Sequence, residues 1–463
     1  MIRKQDILDR AAEWQLRPDV VEKDYALGWL LAAMPAHPDT AERWIFKGGT
    51  CIKKCFLETY RFSEDLDFSL LQDAPYTENE IKQALQVLAS TAAELSGIEF
   101  PTDWVDVRDQ RNKQGLQTFQ GRISYRGPLA WNRPELPRIL IDITRHEPVL
   151  DPPMVRPVFH PYPDELPGNT AVLTYSFDEL MAEKTRALFE RCRPRDLYDV
   201  IFLLENRPDA IDFEQTRDIF HRKCEFKRFA PPSAAALIQV VQEETELKSE
   251  WENMLAHQLP VLPILDDLLG RLPGLLEWID EPTAMLPMEL LTAAPGRAGE
   301  AIVAPSGIQY WGVAPLEKVR FAGANRLLVE FDYDFKHRIV EPYSLRRAQS
   351  TGNLLLYAWE RHSNQIEAFN IDKIQNLRST NESFAPRYRV ELTEGALNVA
   401  PIIAHSSVPT SYRRNFGSKY VYKCSHCGRQ FRHSTRDSHL RPHKTKDGWD
   451  CKGRTAHYVD TIW

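Results

Sequence analysis

No stretch of the 463 residues approaches the roughly 18 uninterrupted apolar residues that a membrane-crossing helix needs. The opening MIRKQDILDR lacks the apolar core of a signal peptide, so a cytoplasmic protein with no membrane partner is expected. Cysteine is scarce and odd in number, at seven, which argues against an oxidised disulfide framework. No internal repeat or low-complexity block interrupts the chain, and 43% hydrophobic with 27% charged residues excludes disordered and collagen-like classes. At about 100–200 residues per domain, the length points to two to four domains. What is present is unevenly spread. Residues 401–463 carry twelve Lys and Arg against four Asp, a net of +8, so the first 400 residues hold −15 of the overall −7. A basic end on an acidic body points to a polyanion partner for the end. Three of the seven cysteines, Cys424, Cys427 and Cys451, also crowd there.

Helical periodicity covers residues 5–38, 78–97 and 177–204, and returns through 233–278 with breaks at Pro231-Pro232, Pro260 and Pro263. Trp44-Ile45-Phe46 is a short apolar run ended by Lys47-Gly48-Gly49, a strand-to-helix turn, with Thr50 to Tyr60 able to form one helix. Leu66–Leu71, Arg122–Tyr125 and Arg138–Thr144 read as strands. A stretch rich in Pro, Ala and Gly begins at residue 281. Beyond it the texture changes to short strands at 326–331, 338–345, 354–359 and 366–374, spaced like a meander or a small barrel.

The segment FKGGTCIKKCFLETYRFSEDLDFS, residues 46–69, carries the most chemistry. Gly48 and Gly49 let the backbone approach an anion, and the following helix offers free N–H groups, which together suit a triphosphate. Strand alternation puts Asp65 and Asp67 on one face, with Leu66 and Phe68 directed into the core. Two carboxylates side by side repel unless a cation lies between them, and Mg²⁺ takes oxygen ligands of this kind. Asp142, the single acid of the apolar run Ile139–Ile143, is the candidate third ligand of a two-metal site, because its burial without a partner would be costly. Such a site performs in-line nucleotidyl transfer. Thr50 and Ser63 are hydroxyls beside the expected phosphate position. Lys184, Arg186, Arg191, Arg193 and Arg195 are cations on or just beyond one helix, suited to nucleotide phosphates or an RNA backbone.

Lys47-Gly48-Gly49-Thr50, followed by Arg61-Phe62-Ser63-Glu64-Asp65-Leu66-Asp67-Phe68, closely resembles the signature of AbiEii/AbiGii-type nucleotidyltransferases, the toxins of type IV toxin–antitoxin and abortive-infection systems. Val21–Tyr25, Asp178–Leu188 and Arg195–Asp199 are similar to further motifs of that family. The resemblance implies a DNA polymerase β-like nucleotidyltransferase fold over residues 1–280 with a helical C-terminal part. It implies metal on Asp65 and Asp67, a triphosphate contact from Lys184, and support from Asp199. Relatives act on the 3′ end of tRNA, so the resemblance implies an NTP substrate, an RNA acceptor of that class and a cognate antitoxin.

Val319–Phe321, Val340–Leu345, Leu354–Glu360 and Phe369–Ile374 resemble a WYL domain, an SH3-like β-barrel. The Trp-Tyr-Leu tripeptide aligns with Leu354-Leu355-Leu356, and Asn370 stands where an Arg is usual, which removes a stacking platform and a cation. At the end of the chain, Cys424-Ser425-His426-Cys427 is a metal knuckle awaiting a second ligand pair. Cys424, Cys427, His443 and Cys451 are chosen as a structural Zn²⁺ site, with His439 the alternate to His443. A segment of this size needs such a staple to fold. Tyr420, Tyr422, Phe431 and Trp449 either stack on bases or pack the small core.

The expected organisation is therefore α+β: a nucleotidyltransferase domain over 1–280, a linker at 281–310, a WYL-like barrel at 311–380, a linker at 381–419, and a zinc-binding tail at 420–463. The expected activity is transfer of NMP from NTP to RNA with Mg²⁺. Two other readings are a nucleic-acid-binding regulator on an inactive scaffold, and nucleotidylation of protein hydroxyls. The intact Asp65/Asp67 pair and the lack of a recognisable N-terminal helix-turn-helix weigh against the regulator.

Overall fold

A computed structural model describes residues 1–71, 76–111, 115, 117–129, 135–168, 170–206, 211–282, 301–302, 316–348, 351–392, 419–433, 438–440, 442–445 and 449–462. It divides into two compact units, Met1–Val399 and Ala400–Trp463.

The first unit is built on a seven-stranded mixed sheet. Its strands are β1 (Trp44–Lys47), β2 (Leu66–Leu70), β3 (Asp106–Arg111), β4 (Gln117–Ser124), β5 (Arg138–Thr144), β6 (Met154–Pro157) and β7 (Ala171–Thr174), in the order β3-β4-β5-β2-β1-β7-β6. The central strands are apolar because both faces are covered: Trp44, Ile45 and Phe46 on β1, and Ile139, Ile141 and Ile143 on β5, are buried. Pro18–Ala32 and Glu78–Ser96 are the long helices before and after β1–β2. Glu78–Ser96 begins on a Thr77/Glu80 capping box and ends at Gly97 in the left-handed conformation. After the sheet come Phe177–Arg191 and Pro194–Glu205, then further helices to Ile279. The expected helix over Thr50–Tyr60 is shorter: Gly48–Cys51 is α-helical, and Ile52–Phe56 widens into a π-turn that stops before Leu57.

The same unit includes a six-stranded sheet of β8 (Ala301–Ile302), β9 (Leu327–Tyr333), β10 (Lys336–Arg347), β11 (Leu354–Glu360), β12 (Gln365–Asn370) and β13 (Gln375–Ser383). Its path is β12-β11-β10-β9-β13 with β8 added to β10, and among the described residues β12 and β13 do not pair. The expected closed barrel is thus an open sheet, with the helix Leu316–Ala324 packed against β9, β10 and β13. This helix ties the sheet to the first domain. Arg320 donates to Glu58 at 3.0 Å, and Asn325, just beyond the helix, accepts from the Tyr198 hydroxyl at 2.7 Å. The 281–310 linker lies almost wholly outside the described residues. In the 381–419 linker, β13 runs to Ser383, and Phe384, Val390 and Leu392 beyond it are buried in the core; residues 393–418 lie outside the described ones.

The second unit is a three-stranded sheet, β15-β14-β18, of β14 (Lys419–Cys424), β15 (Gln430–His433) and β18 (Ala456–Ile462). Beside it is a short ribbon of β16 (His443–Lys444) and β17 (Asp450–Cys451).

Candidate functional site

The site is set by the register of three neighbouring strands. Antiparallel pairing of β1 with β2 puts Lys47 opposite Asp67, and parallel pairing of β2 with β5 puts Asp67 opposite Asp142. Gln120 on β4 stands opposite Asp142 on the other side, and its Nε2 donates to Asp142 Oδ1 at 3.2 Å. Asp65 precedes β2 by one residue, and its carbonyl accepts a hydrogen bond from the Thr50 hydroxyl. Thr50 therefore positions Asp65 through the backbone.

Gly48 has a φ of +79°, and a Cβ there would overlap the Asp67 carboxylate; at Gly49 it would lie 3.0 Å from Ser63 Oγ. The two glycines make room for Asp67 and Ser63, a more specific task than a bare anion cradle. Both aspartates feel the crowding. Burial raises Asp65, with Glu64 and Asp142 adding to it against Lys23. Burial pushes Asp67 up to about 6; Asp142 and Asp65 push the same way, against Lys47 and Lys184. Two carboxylates, Asp65 and Asp67, whose protons burial and neighbouring acids hold on, suit a divalent cation, which removes the repulsion. Asp65, Asp67 and Asp142 supply carboxylate oxygens, the donor type Mg²⁺ takes, less closely gathered than the Cys/His cluster described below.

Lys184 and Asp199 come from successive helices and meet at 2.7 Å. Asp199 also takes both Arg61 Nε at 2.7 Å and Nη2 at 2.8 Å. Burial works to raise Asp199, but Arg61 and Lys184 outweigh it and hold the carboxylate well below the usual range. Arg61 also donates to Gln258 Oε1 at 2.8 Å, which pins the loop before Asp65 to the distant helical segment. Arg186 is not directed to the carboxylates: it pairs with Glu183 at 2.7 Å and with Glu190 along its own helix.

Several functional neighbours escaped the sequence reading. Lys47, immediately before the glycines, pairs with buried Glu147. Lys23 reaches Glu64 at 2.7 Å, and His257 reaches the same carboxylate at 3.3 Å. Lys47 and Lys23 lie inside the motifs quoted from the sequence, so adjacency was a usable signal; His257 and Gln258 come from far along the chain and had none. A cavity of about 820 Å³ opens beside Glu64, lined by Arg17, Lys23, Arg138 and His257 among others.

In the second unit, the donor atoms of Cys424, Cys427, His443 and Cys451 all lie within 4.8 Å of one another, the one such group of three or more among the described residues. Cys424 and Cys451 sulfurs are 3.9 Å apart, and Cys427 Sγ is 3.3 Å from His443 Nε2. A tetrahedron with Zn–S bonds of about 2.3 Å has corners spaced roughly 3.8 Å apart. The backbone N–H groups of His426 and Gly453 donate to Cys424 and Cys451 at 3.4 and 3.3 Å. Hydrogen bonds from the Cys427 and His426 backbone bring the Cys424 thiol down to about 6, toward the thiolate a metal needs. His443 joins the cluster, whereas His439 bridges to Thr455 through its backbone.

A family model described as the nucleotidyl transferase AbiEii toxin of type IV toxin–antitoxin systems matches residues 29–271, just over half of the chain. The solved structure of MenT4, a nucleotidyltransferase toxin from Mycobacterium tuberculosis, is 20% identical with a TM-score of 0.41, over 61% of this chain and 90% of that one. Proteasome accessory factor B/C of Arthrobacter aurescens is 10% identical with a TM-score of 0.16, over 84% of this chain and 36% of that one. Among curated proteins none matches.

Proposed function

The chain belongs to the AbiEii nucleotidyltransferase toxin family, and on that premise we propose that it transfers NMP from an NTP to an RNA acceptor, the 3′ end of tRNA. Membership makes it a nucleotidyltransferase of a toxin–antitoxin system, with an NTP substrate and an antitoxin partner. The observation that carries the finer reading is the convergence of Asp65, Asp67 and Asp142, with Lys184 felt at Asp67. Two Mg²⁺ ions on these carboxylates would activate the acceptor hydroxyl and stabilise the leaving pyrophosphate. Lys184, aligned by Asp199, supplies a cation to the triphosphate, and Ser63 a hydroxyl beside it. The acceptor oxygen bonds the α-phosphorus, the bond to the β-phosphate breaks, and pyrophosphate departs. Growth control or phage defence follows from blocking the RNA end.

The tail's four ligands hold a structural Zn²⁺ in this reading. The open sheet of β8–β13 serves as a WYL-like docking module. It has Leu354-Leu355-Leu356 and Asn370 where sensing residues would stand, and it joins the catalytic domain through Arg320–Glu58 and Asn325–Tyr198.

Incubation with each α-labelled NTP, Mg²⁺ and total RNA tests the proposal. Label is expected on tRNA and is expected to vanish in Asp65→Ala and Asp67→Ala. Label on protein would select nucleotidylation of side-chain hydroxyls instead. No transfer, with tight DNA binding, would select the regulatory scaffold.

A further inference from the structure

The tail separates its aromatic residues into two groups. Tyr422 is buried, and Phe431 packs on the metal-ligand core with its ring centroid 4.7 Å from that of His443. Trp449, in contrast, is 77% exposed. An indole left in water on so small a unit gains nothing for folding, since its burial would contribute stability the unit needs. Its backbone is nevertheless fixed. The Thr445 N–H donates to Trp449 O at 2.7 Å, and the Trp449 N–H donates to Thr445 Oγ1 at 3.2 Å, next to the paired strands β16 and β17.

Two cations are tied to the same ribbon. Lys444 ends β16 beside Thr445, and Arg429 donates to the Lys444 carbonyl at 3.1 Å, so two exposed positive residues are tied to the strand that leads into the Thr445–Trp449 pair. Asp450, opposite Lys444, is the one acid of this ribbon among the described residues. Lys423, Lys452 and Arg454 are also exposed, so the described tail shows five exposed Lys and Arg against that one exposed acid. An exposed aromatic side chain on a small unit rich in exposed cations is the chemistry of single-stranded polynucleotide binding: bases stack on the ring and phosphates pair with the charges. A duplex offers no free base face, and the described tail contains no helix to enter a groove.

We propose that Trp449, Arg429 and Lys444 form a binding site for the unpaired end of the RNA acceptor. The proposal rests on the RNA-modifying reading above, and it makes the tail a tether that raises the local concentration of acceptor.

Binding of a labelled oligoadenylate of about 12 nucleotides to the zinc-loaded full chain, followed by fluorescence anisotropy without NTP or Mg²⁺, tests it. Trp449→Ala should weaken binding about tenfold, and Trp449→Phe, which keeps a ring, should restore most of it. Arg429→Ala combined with Lys444→Ala should lower the slope of log K against log salt by about 1.4, two single-strand phosphate contacts. Unchanged affinity in all three variants, or tighter binding of a duplex or of the matching DNA strand, would overturn the proposal. Because the assay needs no turnover, intact binding without transfer to any RNA would count against nucleotidyl transfer alone.

Discussion

At the scale of single residues, Asp67 couples the proposed metal site to stability. Its raised pKa means that folding holds a proton on it which the unfolded chain, with an ordinary value near 3.8, releases more readily. The sign follows: the contribution to stability is fully present below about pH 4 and is lost as pH rises through about 6. Metal-free Asp67→Asn should therefore be more stable than the parent at pH 7.5, by about 1–2 kcal/mol after allowing for partial solvation, with the difference closing below pH 4. Mg²⁺ should stabilise the parent and not the variant. Urea titrations at both pH values, with and without Mg²⁺, measure this; a parent as stable as the variant at pH 7.5 without metal would sink the idea. Gly48 shows the same economy of space, since its positive φ and missing Cβ leave the place the Asp67 carboxylate fills.

At the scale of elements, the helices Phe177–Arg191 and Pro194–Glu205 act as one support. Lys184 on the first and Asp199 on the second meet Arg61 from the loop before β2, so three segments are locked by one fully buried carboxylate. Removing it strands two cations in the interior. Asp199→Ala should lower unfolding free energy by about 3–5 kcal/mol, more than Lys184→Ala, because Lys184 leaves Asp199 still paired with Arg61. Equal losses in chemical denaturation would show that the Arg61 arm contributes nothing. Much of this was legible. Strand alternation and the apolar run around Asp142 located the carboxylates, because a period of two and a lone acid among isoleucines are local signals. What the list of cations did not weigh is local competition: on its helix, Arg186 pairs with Glu183 and Glu190 at i−3 and i+4.

At the scale of the whole molecule, the charge asymmetry separates two kinds of folding. The unit Met1–Val399 is held by a large apolar core, whereas the tail buries only a handful of apolar side chains around its Cys/His cluster. A chelator should therefore release one Zn²⁺ per chain and unfold the tail while the first unit keeps its secondary structure. Metal released to a colorimetric dye, followed beside far-ultraviolet circular dichroism, reads both events; a tail that survives complete metal loss would contradict the staple. Strands β9–β12 were legible, but β8, β13 and the open sheet docked on the catalytic domain were not. Closure and docking depend on contacts such as Arg320–Glu58, separated by hundreds of residues and invisible to local pattern.

The sequence by itself indicated many of the helices and strands and singled out the acids and the Cys/His group, because periodicity, glycine and cysteine spacing act over a few residues. Only the tertiary structure decided which side chains share a site. It set Asp67 beside Asp142 through strand register and Asp199 between Arg61 and Lys184. It also sent Tyr422 and Phe431 into the tail's core while leaving Trp449 outside. Those outcomes depend on long-range packing and on competition for burial, which no window of sequence contains.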